Sequence, residues 1–532
     1  MKTRAASKCG GLEAGACWQA IGGAVRRASP RNRLQAGSYL LAGLLAGVAS
    51  ARAADFTFDF DTVRYRAQLL AEKPYVEPGT RVPEWAQNLT YDEHRLIRFD
   101  PGHTWWRSER LPFELQFFHP GFVQRSTVQI SEIRGGRAEL IPFERALFDY
   151  DRLKPGEVPP TMGFAGFKIL HPLNKPGDEL GAFQGASYFR LLCEKTIYGL
   201  SARGLALDTA EPGGEEFPVF TEFWIERPTA GAKALTLYAL LDSPSVTGAY
   251  RFKIEPGAAT VSHVKAVLFF RKAVKTVGLA PLTSMFWHGE NTNEVTNDFR
   301  PEVHDSDGLA LLTGAGEWLW RPLTNPKAVR VAAFGDENPR GFGLLQRDRN
   351  FENYQDLEAA YHIRPSAWVE PVGDWGRGTV RLVEIPTPDE TNDNIVAFWV
   401  PDRLPKVGEP LELEYKLHWF VDQIRPPAGR AISTRHGRTI THEQDLERFF
   451  VDFSIPDLAA NDAAPDDVES VVTVGTGGEL VHSNVQKNPY NGTWRAAFAI
   501  RPDASGQPIE LRCFLRRPEK VLTETWSYLW QP

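Results

Sequence analysis

Short stretches of alternating apolar and polar residues, separated by turns that contain Gly or Pro, recur along most of this chain. They include residues 91–99, 115–118, 126–133, 217–225, 234–241, 249–254, 261–270, 395–400 and 411–420. Alternation with a period of two predicts half-buried β-strands. Helical patterns are few, and the main one is residues 64–72, which should end before Pro74. The pattern therefore predicts an all-β fold of the sandwich or barrel type.

The chain has 532 residues, which is too many for one compact core, so we expect at least two domains. Residues 421–433 contain Pro426-Pro427-Ala428-Gly429-Arg430, a composition typical of a linker. The last part of the chain then shows predicted strands at 434–441, 448–453, 468–475, 479–484, 493–500 and 509–516. We predict a β-sandwich domain at 54–420, a linker at 421–433 and an immunoglobulin-like sandwich at 434–532.

Residues 1–53 have the pattern of a signal peptide. Basic residues that include Arg26 and Arg27 precede an apolar run at 39–48, and Ala51-Arg52-Ala53 supplies small residues at the expected cleavage positions. The apolar run is too short to span a bilayer, which takes about 20 residues, and no later run is long enough. We predict an exported protein without stable membrane insertion. The residues after Arg27 favour the general secretory route over twin-arginine export.

Charge and cysteine content exclude several classes of function. The net charge is −7, and residues 1–53 carry +7, so −14 remains on the rest of the chain, which argues against a nucleic-acid partner. Outside the leader only Cys193 and Cys513 remain, without a Cys-x-x-Cys motif, so two buried thiols are favoured over a disulfide or a zinc site. The sequence also lacks the usual nucleotide-binding, serine-hydrolase and zinc-protease motifs. We expect neither a metal nor a cofactor.

The densest group of ionisable residues lies in the stretch 298–323. Arg300, Glu302, His304, Asp305 and Asp307 fall within eight positions, before an apolar run at 309–312. Such crowding perturbs pKa values, and perturbed groups concentrate at functional sites. A solvated loop with a structural ion pair remains an equal alternative.

Glycines stand next to aromatic residues in the segments 163–167, 183–190 and 284–291, and Trp105-Trp106-Arg107 forms a further aromatic group. Aromatic faces beside a close backbone suit sugar binding, but the same pattern occurs in a β-core with Gly kinks. Asp393 lies in a polar turn before the apolar strand 395–400. It is either directed into a cleft or a plain turn residue.

Several ordered blocks resemble the periplasmic glucan biosynthesis proteins G and D (OpgG and OpgD). The main block is Phe-Arg-Pro-Glu-Val-His-Asp-Ser-Asp-Gly at 299–308, followed by Gly-Glu-Trp at 316–318 and Arg-Pro-Leu at 321–323. The others are residues 217–220, 223–225, 341–346, 365–371 and 393–396. The resemblance covers nearly the whole chain after the leader.

This resemblance implies a large N-terminal β-sandwich of the galactose-mutarotase-like type, a short linker and a small immunoglobulin-like C-terminal domain. It implies a periplasmic role in making osmoregulated periplasmic glucans, whose backbone is β-1,2-linked glucose. The family includes inverting enzymes that cleave β-1,2-glucan. By this likeness Asp393 matches the general acid and Asp305 the general base. The candidate substrate-binding residues are Tyr361, Arg364, Thr391, His304, Asp307, Arg300 and Trp368.

Inverting hydrolysis needs one protonated carboxyl group and one ionised one, about 6.5–9.5 Å apart. Burial must then raise the pKa of Asp393, while Asp305 stays charged near Arg300 or His304. A proton path through water or sugar hydroxyls permits a longer separation. The rival acids, for which a structural ion pair is the favoured interpretation, are Glu302, Asp307, Glu317 and Glu370.

Two functions remain open at this point. The first is an inverting β-1,2-glucanase that trims glucan during its biosynthesis. The second is a glucan-binding factor without catalysis, which presents growing chains to a membrane glucan synthase. The expected partners are β-1,2-glucan, such a synthase and a second copy of the chain in a homodimer, although the sequence leaves the oligomeric state and the G-like or D-like branch open.

Overall fold

The structure is a computed structural model that describes residues 57–77, 79–294, 297–438, 446–456, 458 and 467–531. The predicted signal peptide at 1–53 lies outside these residues. The α-helices are α1 Phe60–Ala71, α2 Glu84–Gln87 and α3 Tyr91–His94, and the 3-10 helices are Pro101–His103, Arg107–Glu109, Arg145–Leu147, Phe351–Asn353 and Tyr361–Ile363. Within the described ranges, none of the helices has the length and hydropathy needed to cross a membrane.

Strands make up most of the regular structure, which confirms the predicted all-β class. Up to residue 284 they are β1 Arg98–Phe99, β2 Glu114–Phe118, β3 Gln129–Arg134, β4 Arg137–Leu140, β5 Phe148–Asp149, β6 Gly166–Leu170, β7 Glu179–Gln184, β8 Tyr188–Leu191, β9 Ser201–Arg203, β10 Leu205–Leu207, β11 Val219–Glu226, β12 Leu235–Asp242, β13 Val246–Glu255, β14 Thr260–Phe270 and β15 Val277–Ser284. After it they are β16 Phe286–His288, β17 Val303–His304, β18 Gly308–Leu312, β19 Trp318–Pro322, β20 Arg330–Glu337, β21 Gly341–Leu345, β22 Ser366–Val372, β23 Arg377–Glu384, β24 Ile395–Pro401, β25 Pro410–Phe420, β26 Arg430–Arg438, β27 Glu447–Ser454, β28 Glu469–Val474, β29 Gly478–Lys487, β30 Trp494–Pro502, β31 Ile509–Arg517, β32 Lys520–Val521 and β33 Thr525–Trp530.

Two large sheets form a sandwich. One has the order β2-β6-β7-β8-β9-β15-β24-β23-β20, with β10 beside β15, and the other runs β28-β31-β33-β19-β18-β21-β22-β25-β14-β13-β12-β11-β3-β4, with β32 beside β31. Between them Phe167, Phe183 and Phe189 of the first sheet meet Phe223 and Phe252 of the second, with ring centroids 5.1 to 5.6 Å apart. These buried rings belong to the main core, and aromatic contacts of this kind add to the stabilisation from area burial.

Residues 430–531, called here the C-terminal region, close a second core. Their four-stranded sheet β26-β27-β30-β29 packs against β28, β31 and β33, with Phe449, Phe498 and Trp526 in contact at the centre. Strand β33 pairs in parallel with β19, so the second large sheet continues into this region from the part of the chain before residue 430, called here the N-terminal region. Strand β26 begins at Arg430, within the predicted linker. The immunoglobulin-like assignment stays a prediction.

The strand prediction for residues 91–99 is wrong over its first half. The Thr90 hydroxyl accepts a hydrogen bond from the Glu93 amide at 3.3 Å, while the Thr90 amide donates to the Glu93 carboxylate at 2.8 Å. This reciprocal cap starts α3 at Tyr91 and leaves only β1 in strand conformation. The helix predicted at 64–72 is confirmed, but it begins earlier because Asp59 caps it through the Thr62 amide at 3.0 Å.

Candidate active site

Asp305 is held by the end of a two-stranded pairing. It directly follows β17, which pairs with β16 in the register Phe286↔His304. The Asp305 amide donates to the Met285 carbonyl at 2.8 Å, which fixes the backbone of the acid against residues 284–286. We call residues 284–286 the shared segment. Asp305 is only 4% exposed.

Asp393 is held by the same segment, through the residue that follows it. The Asn394 amide donates to the Ser284 carbonyl at 3.1 Å, and its side chain accepts from the Phe286 amide at 2.8 Å. The Asn394 side-chain NH₂ group donates to the Phe286 carbonyl at 3.0 Å. Asn394 is buried, so its amide group completes backbone hydrogen bonds that would otherwise be lost. Both candidate catalytic acids are therefore positioned by one three-residue segment.

An arginine and a tyrosine surround Asp305. The Arg364 guanidinium donates to the Asp305 carboxylate, and the same guanidinium lies over the Tyr361 ring, 4.1 Å from its centroid. Burial raises the pKa of the Tyr361 hydroxyl well above its ordinary value, with a smaller contribution from the Asp305 charge. The phenol therefore stays protonated at neutral pH and acts as a hydrogen-bond donor. The structure brings together the predicted residues Asp305, Tyr361 and Arg364.

Asp393 lies beside strand β8. Its carboxylate is 3.8 Å from the Arg190 guanidinium, and its side chain is 15% exposed. Tyr188, two residues before Arg190, is close enough for the Asp393 charge to contribute to its pKa, which burial raises to about 12. The sequence had singled out residues 183–190 only as an aromatic segment, and Phe183 and Phe189 do fill the main core. Arg190 is a site residue that the sequence did not identify.

Glu390 is a second residue that the sequence missed. Its carboxylate accepts from the Tyr361 hydroxyl and from the Arg300 guanidinium, the latter at 2.6 Å. Arg300 also donates to Asp298 and Asp356, and these hydrogen bonds raise the pKa of the guanidinium further. The predicted residue Arg300 thus reaches the site through Glu390. Because Glu390 lies three positions before Asp393 in the same polar turn, its position in the chain was the available signal.

His304 belongs to a buried network behind Asp305. Its Nε2 is 2.9 Å from Glu302, and its Nδ1 is 3.0 Å from the Gln346 side-chain oxygen and 3.3 Å from Asp307. Burial alone lowers the pKa of His304, but the bond to Glu302 and the charges of Asp307 and Glu302 outweigh burial and raise it to about 9. The ring is therefore an imidazolium at neutral pH, stacked on Phe286 with centroids 5.3 Å apart. His304 and Asp307 support Asp305 from the protein interior.

The structure places the other two predicted residues differently. Thr391 is exposed in the turn before Asp393, and its amide and hydroxyl donate to Asp389 at 2.9 and 2.5 Å. Trp368 is only 3% exposed and stacks on Trp318 within the second core, with centroids 5.3 Å apart. Its ring packs between the two regions and not beside Asp305 or Asp393.

The rival acids make the structural pairs expected of them. Glu302 pairs with His304, and Asp307 accepts from the amides of residues 347 and 348. Glu317 accepts from Arg512 and from the Thr525 hydroxyl at 2.7 Å. Glu370 pairs with Lys416 at 3.0 Å and with His418 at 2.8 Å. The pairings of Glu317 and Glu370 reach a different strand, whereas Glu302 pairs with a residue two positions away in the same segment.

The described residues contain no cluster of three or more His, Cys, Asp or Glu side chains suited to a metal ion. Cys193 and Cys513 are both buried and unpaired, and burial raises the pKa of the Cys513 thiol to about 12. Such thiols are poor nucleophiles. The chemistry available at the site is therefore that of two carboxyl groups with phenol, hydroxyl and guanidinium neighbours, which suits proton transfer to and from a sugar.

Comparison with known proteins identifies relatives over nearly the full length. Residues 58–530 match the family model described as periplasmic glucan biosynthesis protein, MdoG. The glucans biosynthesis protein G of Ralstonia nicotianae is 50% identical over 506 residues, covering 93% of this chain and 99% of the relative. The protein of the same name from Pseudomonas aeruginosa is 45% identical over 517 residues, covering 94% and 97%. That from Pectobacterium carotovorum is 43% identical over 513 residues, covering 93% and 97%.

Proposed function

The chain belongs to the MdoG family of periplasmic glucan biosynthesis proteins, and from this premise we propose that it is an inverting β-1,2-glucanase. In this proposal Asp393 is the general acid and Asp305 the general base, and the enzyme trims glucan during its biosynthesis. The observation that carries it is the attachment of both aspartates to the shared segment, through the Asp305 amide and the Asn394 side chain. A pair of acids held from one support keeps its spacing, which inversion requires.

Asp305 has the surroundings that a general base needs. In the proposal it is ionised when a water molecule arrives, and the Arg364 guanidinium donates a hydrogen bond to its carboxylate. Tyr361 lies against the same guanidinium and donates to Glu390, so it is oriented before substrate binds. In the proposed reaction Asp305 removes a proton from water, which attacks the anomeric carbon from the face opposite to the leaving oxygen.

Asp393 has to deliver a proton to the leaving oxygen. Its side chain is mostly buried, and the Arg190 guanidinium lies 3.8 Å from its carboxylate. Substrate binding between these groups would shield the carboxyl from the guanidinium and from water. Thr391 is an exposed residue two positions away whose hydroxyl donates to Asp389, and in the proposal it passes or orients a proton once substrate is bound.

The second candidate is a glucan-binding factor that presents chains to a membrane glucan synthase. One observation favours it: each aspartate has a guanidinium beside it, Arg364 for Asp305 and Arg190 for Asp393. Two ionised carboxylates with arginine partners bind sugar hydroxyls well but supply no acid. We also propose that the protein contacts a membrane glucan synthase, that it forms a homodimer and that residues 434–532 form an immunoglobulin-like domain.

Product analysis separates the two candidates. Purified protein is incubated with linear β-1,2-glucan beside Asp393→Asn and Asp305→Asn, with Asp92→Asn as control because Asp92 is a surface residue with an 86% exposed side chain. We expect short glucans from the wild type and the control, and at least about a 100-fold loss in the two site variants. Proton NMR of the first products should show inverted anomers.

Two results would contradict the assignment. Unchanged cleavage by Asp393→Asn removes that residue as the acid. No products from the wild type, with glucan binding seen by calorimetry, favours the binding factor.

A further inference from the structure

The residues that follow the shared segment in the chain make a direct contact with the C-terminal region. Strand β16 leads from the shared segment into a turn at 289–292, in which the Thr292 amide donates to the Gly289 carbonyl at 2.9 Å. Glu290 lies in this turn and is directed toward β26 of the C-terminal region. Its carboxylate accepts from the Thr434 amide and from the Ser433 hydroxyl, the latter at 2.8 Å. The Arg435 guanidinium is 3.2 Å from the same carboxylate.

The next residue extends this contact. The Asn291 side chain donates to the Leu323 carbonyl at 2.9 Å, and His436 of β26 lies with its Nε2 3.2 Å from the Asn291 carbonyl. His436 also pairs with Glu447 in the neighbouring strand at 2.7 Å. The turn after the shared segment is therefore bound on both sides, by β19's end and by the C-terminal sheet.

A second contact joins the C-terminal region to Asp307, two residues after the candidate base Asp305. Asp307 accepts from the Arg347 and Asp348 amides at 2.6 and 2.7 Å. The Arg347 side chain runs on to the C-terminal region, where it donates to Glu524 and to the Ala431 carbonyl. This ion pair is almost fully buried, with side-chain exposures of 5% and 0%.

Residues of both contacts line one cavity. This cavity of about 40 Å³ separates them and is lined by Glu290, Glu302, His304, Asp307 and Arg347, together with Ser433 and Thr434. Apolar side chains that include Phe286 and Trp320 line it as well, and it has room for no more than a few water molecules. One wall is the C-terminal region and the other is the network that supports Asp305.

We propose that Glu290 is a positioning residue through which the C-terminal region holds the shared segment, and with it both aspartates, in place. The proposal rests on the proposed function for the identity of the two aspartates, but the positioning itself is measurable without substrate. It gives the C-terminal region a part in the proposed reaction, although the site groups named above all come from the N-terminal region. Glu290 touches neither sugar nor reacting atoms in this scheme.

Hydrogen exchange tests the positioning directly. The amides of Phe286 and Asp305 report on the shared segment, since one donates to the Asn394 side chain and the other to the Met285 carbonyl. In Glu290→Ala we expect both to exchange about tenfold faster. In Glu290→Gln, which keeps an oxygen for the Thr434 amide, most of the protection should return.

The matched control is Glu370→Ala. Glu370 also bridges two partners, Lys416 and His418, but it does so between β22 and β25, within the N-terminal region. Its removal should leave the exchange of Phe286 and Asp305 unchanged. Ser433→Ala supplies a milder variant in case Glu290→Ala fails to fold, and it should accelerate the same amides by a smaller factor.

Kinetics add a readout that a loss of stability alone would not give. With β-1,2-glucan as substrate, Glu290→Ala should lower kcat about tenfold with KM within twofold, because the sugar contacts are intact and the spacing of the acids is not. Unchanged exchange in both Glu290→Ala and Ser433→Ala would overturn the proposal. If the wild type cleaves no glucan, the exchange result still decides about positioning, so the two proposals fail separately.

Discussion

The N-terminal and C-terminal regions both close β-sheets over aromatic cores, but they differ in how their charged groups are arranged. In the N-terminal region Arg300, His304 and Asp305 are each at most 8% exposed and converge within one site. In the C-terminal region Arg501 and Glu479 join neighbouring strands at the surface with exposures of 53% and 73%, and the buried carboxylate of Glu524 is paired with Arg347. In our proposal the N-terminal region carries the chemistry and the C-terminal region supports it.

The difference arises at strand ends. Along a strand, successive side chains alternate between core and surface, so few polar groups can converge there. Asp305 follows β17, Asp393 precedes β24, and Arg364 precedes β22. Sites of this kind are added to a sandwich by its connections and cannot be inferred from the sandwich itself.

The strongest test of this contrast replaces one aspartate by asparagine in each region and compares the activities of the two variants. Asp305→Asn should lower the rate of glucan cleavage by about 100- to 10 000-fold, since removal of a general base costs this much. Asp452→Asn in the C-terminal region removes a carboxylate that binds Arg495 at 2.7 Å and should leave the rate within about twofold. Initial rates of reducing-end release measure both. Equal losses in the two variants would remove the functional distinction between the regions.

The contact between the regions provides the next largest effect. Glu524→Ala leaves the guanidinium of Arg347 buried without its carboxylate, which should cost about 3–5 kcal/mol of unfolding free energy. Glu479→Ala removes an exposed partner and should cost no more than about 1 kcal/mol. Urea unfolding at constant pH compares the two. A cost for Glu524→Ala as small as that for the surface variant would mean that the regions are not held by this pair.

Much of the architecture was predictable from sequence, because alternation reports directly on which face of a strand is buried. The strands predicted at 249–254 and 261–270 correspond to β13 and β14, and those at 493–500 and 509–516 to β30 and β31. The prediction for 91–99 failed because a Thr90–Glu93 cap, a local hydrogen-bond effect, prevailed over an alternating pattern. Strand β33, which joins the two regions through β19, was not predicted at all.

The site was predictable only in part. The blocks around Asp305 and Asp393 marked the two acids, but nothing in their spacing of nearly ninety residues indicated one shared support. Arg190 and Glu390 became visible only when the fold placed β8 and the turn before Asp393 beside the other groups. Trp368 lies in one of the sequence blocks that resemble the family, but its ring packs in the core between the two regions. Convergence in space is a property of the fold that a linear pattern does not carry.

The contact of Glu290 with strand β26, called here the junction, should also make the stability of the protein depend on pH. Burial raises the pKa of Glu290 from 4.5 to about 7 in the folded protein. Between these values the folded state binds more protons than the unfolded state, so the contribution of Glu290 to stability falls as pH rises from about 4.5 to about 7. A shift of this size corresponds to roughly 3 kcal/mol.

Glu290→Gln has no such titration. The stability of the wild type relative to this variant should therefore decline between pH 4.5 and 7 and level off above pH 7. Urea midpoints at five pH values measure this difference, with Glu479→Gln as the surface control. A constant difference over the whole range would show that the junction does not control the proton affinity of Glu290.

The smallest expected effect is that of replacing Arg190. This variant tests whether the charged groups of the site differ in function from those of the C-terminal region, or only in burial. A guanidinium 3.8 Å from Asp393 stabilises the carboxylate, and a general acid works only while protonated. Arg190→Met should therefore extend the activity to higher pH, with the alkaline limb of kcat/KM moving upward. Arg501→Met, which removes the equivalent charge from a surface pair, should leave the limb in place. A limb that does not move in Arg190→Met would mean that another group delivers the proton, and the pairing of Arg190 with Asp393 would then be a structural contact like those of the C-terminal sheet.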